Sequence, residues 1–93
     1  MSDPNIEEFK IELNRVVDRL LTMPVTKLTS AANSTRPVLA QLATMAGQLT
    51  PVPVIADRAL GFQCAVLGKE LMDSGQPCTE GTALLRDLRL ALW

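Results

Sequence analysis

Four stretches of this 93-residue chain place apolar residues every three or four positions, and prolines stand at the breaks between them. A stripe at that spacing is one face of an α-helix, and it must be buried against another element. Proline cannot donate to a helical ladder, and it pushes the residue before it out of helical geometry. The pattern predicts an all-α fold: an antiparallel four-helix, bundle-like domain over residues 1–93, with helices at about 4–22, 26–49, 56–72 and 79–92.

The first helix is predicted to start at Asp3-Pro4, with Asp3 as cap and Pro4 at the tolerated first position. Its stripe is Ile6, Phe9, Leu13, Val16 and Leu20, widened by Val17 and Leu21, and Pro24 ends it. In the second segment Leu28, Ala32, Thr35, Leu39, Leu42, Ala46 and Leu49 keep one phase across Pro37. An unbroken phase predicts a single helix kinked at Pro37, with the Asn33 carbonyl losing its donor. Thr50 to Ile55 holds Pro51 and Pro53 and favours extended geometry. Its valines and isoleucine predict an ordered strap across the bundle.

The third helix carries two stripes, Leu60, Cys64, Leu67, Leu71 and Ala59, Phe62, Val66, which predict the most buried helix of the four. Gly61, Ala65 and Gly68 line a third face. A glycine inside a helix costs about 1 kcal/mol relative to alanine, so two on one face call for close approach of another backbone or a ligand. Asp73 to Pro77 reads as a turn. Thr79 then caps a last helix with Leu84, Leu85, Leu88, Ala91 and Leu92 on its stripe.

Hydrophobic residues make up 47% of the chain and aromatics only 3%. A chain of 10.1 kDa buries about 64% of its extended surface, which is marginal for a lone domain. The aliphatic surplus predicts a second burial surface, most simply a homodimer. The net charge of −1 is spread with alternating sign along Glu7, Glu8, Lys10, Glu12, Arg15, Asp18 and Arg19, a solvated helix face. A pI near 5.2 and the lack of a basic cluster argue against nucleic-acid binding. An acidic N-terminus unlike a signal peptide, no bilayer-length apolar run and only two cysteines lead to the expectation of a cytoplasmic protein with no membrane partner.

The chain has no histidine, no C-x-x-C pair and no glycine-rich nucleotide loop, so no metal or cofactor is expected. Glu8 and Glu12 lie four apart, as a di-metal bundle requires, but the Glu-x-x-His partners are missing, and both read as solvated. Glu70 and Asp73 read as surface. Cys78 precedes a helix N-terminus, a position that lowers a thiol pKa, whereas Cys64 falls on the core stripe. The Gly61, Ala65, Gly68 face fits intrachain packing or self-association. Trp93, if docked, adds apolar area to an interface. Met45, Phe62, Val66 and Met72 are the candidate lining of a small apolar pocket. Arg58 and Lys69 flank the third helix on its polar side and are placed to meet acids of a partner or to snorkel.

The helix–proline–helix order, the proline-rich strap and the run from Asp57 to Leu71 resemble small Ala- and Leu-rich helical proteins of actinobacteria. The resemblance implies a bacterial cytoplasmic protein and transfers no functional residue. The reading that follows from the residues is a non-enzymatic helical interaction module, a homodimer that binds another protein. The alternatives are a carrier of a small apolar ligand and, behind it, an enzyme using Cys78 or carboxylates.

Overall fold

A computed structural model of the chain describes residues 4–48 and 52–92. It holds α1 (Pro4–Thr22), α2 (Val25–Met45), α3 (Leu60–Asp73) and α4 (Thr79–Leu92), with a 3-10 turn (Asp57–Ala59) leading into α3. The fold is all-α, and no strand occurs among the described residues. The predicted cap Asp3 lies outside them. Pro24 stands between α1 and α2 in extended backbone, and its carbonyl accepts from the amides of Lys27 and Leu28. Pro37 sits inside a continuous α2. Pro37 and Asn33 are both exposed, so the proline and the residue whose carbonyl loses a donor lie on the outer side of α2.

Two glycines set helix ends. α2 stops at Met45, short of the limit expected at Leu49, which lies outside the described residues. Gly47 takes a φ of 86°, the Gln48 amide donates back to the Ala43 carbonyl, and the Gly47 amide donates to the Thr44 carbonyl. That pair of bonds closes a helix over a left-handed residue, a geometry glycine adopts without strain. Gly75, with a φ of 78°, follows α3 in the same sense. At α4 the cap position belongs to Cys78, whose carbonyl accepts from the Thr82 amide at 2.8 Å. Thr79, expected as the cap, is the first helical residue.

The ordered strap is present from Val52 to Ala56, and side chains fasten it. Arg36 of α2 donates to the Ile55 carbonyl at 2.9 Å and pairs with Asp57 at 2.8 Å. Gln63 of α3 donates to the Pro53 carbonyl at 2.9 Å. The strap thereby returns the chain to the middle of α2, where Arg36 lies, and α3 runs parallel to the second half of α2. Arg36 meets Asp57 at the start of this pair, and Gln48 meets Glu70 near its far end. Consecutive helices α1–α2 and α3–α4 run antiparallel, yet they are not the main packing partners. α1 packs on α3 and α4, and α2 packs on the same two.

The core collects one stripe from each helix, with Phe9, Val16, Leu20, Leu39, Leu42, Leu60, Leu71 and Leu85 fully enclosed. α3 is less buried than its two stripes predict. Leu60, Cys64, Leu67 and Leu71 point inward, but Phe62 is 63% exposed and Val66 57% exposed. The glycine face takes the place that the second stripe was expected to fill. A Cβ on Gly61 would lie 2.7 Å from Leu21 Cδ2, and one on Gly68 would lie 2.6 Å from Leu13 Cδ1. α1 therefore lies directly on this side of α3.

The two glycines differ in what surrounds them. Leu13 is enclosed in the core, whereas Leu21 is 44% exposed and is free to turn outward. Gly68→Ala gains about 1 kcal/mol of helix propensity but overpacks a closed site at about 1–3 kcal/mol, so a net loss near 1 kcal/mol is expected. Gly61→Ala should be neutral to stabilising. Urea unfolding of both variants against the parent checks the ranking.

Candidate functional site

The side chains singled out from the sequence do not converge. Gly61 and Gly68 are buried against Leu21 and Leu13 of the same chain, and Ala65 between them is half-buried. The face expected to receive a partner is thus taken up by α1. Trp93 lies outside the described residues. The proposed apolar pocket is not assembled either. Met45 borders shallow hollows beside Thr44, Gln76 and Glu80, Met72 is half-buried, and Phe62 and Val66 face water on α3. The described hollows are open surface grooves. One of about 320 Å³ runs between the ends of α1 and α4 and the first half of α2, lined by Arg19, Lys27, Ser30 and Ser34 among others. A smaller one of about 210 Å³ lies under the strap between Arg36, Leu39 and Val54.

What remains is an apolar outer face on α3. The chain has only two phenylalanines: Phe9 is wholly enclosed, and Phe62 is held in water. Helical geometry puts Phe62, Val66, Lys69 and Asp73 within an arc of about 60°, and Arg58 extends the row one turn ahead. All five are exposed. On one flank Leu21 lies against Gly61, and on the other Gln63 holds the strap at Pro53, next to the exposed Val54. An aromatic ring and branched aliphatics ringed by charges form the kind of patch that proteins cover with a partner.

A second arrangement was not foreseen in the sequence. Glu12, read there as a solvated carboxylate, is buried between α1 and α4. Arg89 Nε donates to its Oε2 at 2.8 Å, while Arg15 and Arg86 approach Oε1 at 3.5 and 3.7 Å. Arg19 donates to the Leu92 carbonyl at the far end of α4. The signal was available in the i, i+3 pair Arg86 and Arg89, which puts two cations on one face of α4. This is a clip between helices: every carboxylate oxygen is already engaged by the chain's own cations. Glu12→Gln removes the negative charge that Arg15, Arg86 and Arg89 share and should cost about 2 kcal/mol, seen as a lower urea midpoint with an unchanged slope.

Both thiols are buried, and neither is in a disulfide. Cys78 sits at the α4 cap as expected, but its sulfur is enclosed and lies 3.8 Å from the Gln76 carbonyl, so it does not present an accessible nucleophile. Burial pushes the Cys64 thiol up from 9.0 to about 12. The unfolded chain releases that proton above pH 9, and the folded chain holds it until about pH 12. The folded state therefore has its full advantage below pH 9 and loses about 1.4 kcal/mol per pH unit above it. Unfolding free energies measured up to pH 11 should fall more steeply for the parent than for Cys64→Ala. Parallel slopes would contradict this.

Among the described residues no group of three His, Cys, Asp or Glu side chains is placed to hold a metal ion, and no helix is long and apolar enough to cross a membrane. In comparison with known proteins, no family model, no curated protein and no solved structure matches the chain.

Proposed function

We infer that the protein is a non-enzymatic helical interaction module that self-associates and presents its surface to another protein. One observation carries this reading: the outer face of α3, with Phe62 and Val66 in water although the core beside it is closed. Keeping a phenylalanine exposed forgoes about 1.5–3 kcal/mol of burial, which a covering partner restores. The chemistry of the chain is in keeping with it. There is no histidine in the sequence, and both thiols are enclosed. The carboxylate with the densest surroundings, Glu12, is engaged in holding two helices together. The apolar-ligand alternative has less support, because its four lining residues are dispersed.

Sedimentation equilibrium from about 1 μM to about 1 mM, the span of weak and transient interfaces, is the test. The parent chain should associate reversibly with concentration. Phe62→Ser should weaken that association about tenfold or more while leaving thermal unfolding nearly unchanged, since the ring makes little contribution to the core. A parent chain that is strictly monomeric throughout overturns the self-association.

A further inference from the structure

The outer row of α3 has a polarity that its own helix does not favour. Arg58 stands at the N-terminal end and Asp73 at the C-terminal end. A helix dipole is stabilised by the reverse order, acid first and base last, and α3 has neither an acid in its first turn nor a base in its last. The other charges around α3 are engaged within the chain: Asp57 with Arg36, and Glu70 with Gln48. Arg58, Lys69 and Asp73 form no ion pair among the described residues. The row is thus a strip with a basic end, an apolar middle and an acidic end.

One partner answers such a strip with the same strip reversed. Resting on the self-association inferred above, we propose that two copies of the chain pair through α3 in antiparallel register about a two-fold axis near residues 65 and 66. In a two-fold contact, if residue i meets j then j meets i, so the sum of the paired numbers is constant. With the axis there, Arg58 faces Asp73 of the second copy and Asp73 faces its Arg58. Phe62 lies under the aliphatic stem and ammonium of Lys69, a cation–π pair, and this contact too occurs twice. Val66 packs near its own counterpart at the centre. The antiparallel order also sets each helix N-terminus beside the other's C-terminus, which relieves the unfavourable end charges. The strip is about 22 Å long, and with Leu21 and Val54 as flanks it makes a small interface. A contact of that size belongs with weak, transient associations.

Charge exchange tests the register, because all the positions involved are exposed and the variants should keep the parent's circular dichroism. Arg58→Asp alone and Asp73→Arg alone each place two like-charge contacts in the dimer. Each should weaken self-association about tenfold, and the double variant should return to within about threefold of the parent. Val66→Cys provides a readout independent of charge. Near the axis it should give a disulfide-linked dimer with oxidised glutathione, whereas Asp73→Cys, about 22 Å from its own counterpart, should not. A parent that dimerises while the double variant stays as weak as the singles, or Asp73→Cys cross-linking as readily as Val66→Cys, overturns this register alone. A parent that remains monomeric at about 1 mM overturns self-association and the register together, and leaves the strip to a partner of different sequence.

Discussion

The close seating of α3 on α1 at two glycines is the contact from which the remaining geometry follows. Gly61 and Gly68 admit Leu21 and Leu13 at close range, and at Gly68, where Leu13 is enclosed, a larger residue would force the helices apart. With α1 on that side, Leu60, Cys64, Leu67 and Leu71 turn toward α2 and the centre. A helix has only so much circumference, and two neighbours plus a core consume it. The arc that remains is the one bearing Phe62 and Val66. The glycines thus set both the tightness of the core and the identity of the exposed face.

The Glu12 clip holds the opposite flank. α1 and α4 run parallel, with Gly81 against Phe9, Glu12 against Arg86 and Arg89, and Arg19 reaching Leu92. A buried carboxylate is a costly way to gain stability, since desolvation offsets much of the Coulomb attraction. Its contribution is better described as alignment: it ties the middle of α1 to the last turns of α4 through Arg86 and Arg89.

Much of the architecture was legible in the sequence because helix periodicity and proline chemistry are local. The continuity of α2 followed from one apolar phase across Pro37, and the strap from two prolines beside valines. The errors lie where the answer depends on which helix neighbours which. The stripe Ala59, Phe62, Val66 looks identical whether buried or not, and only the placement of α1 decides it. Glu12 looks solvated until α4 brings arginines 74 and 77 residues further on. The Gly47 helix end was local and readable, but an apolar phase running on to Leu49 hid it. Sequence reasoning picked out Gly61 and Gly68 as needing a close neighbour and left open whether it came from the same chain; the structure supplies it from α1, while Phe62, read as part of a buried stripe, is exposed.

The parallel return of α3 along α2 bears on how the chain reaches this state. Because consecutive helices are not each other's main partners, the α1–α2 half has no neighbour of its own to cover its stripes, and neither has the α3–α4 half. Each isolated half would present a row of leucines to water. The strap, fixed to α2 by Arg36 and to α3 by Gln63, joins two pieces that are complementary rather than autonomous. The contacts that cover those leucines join the two halves across long sequence separations, so closing the core requires both halves together.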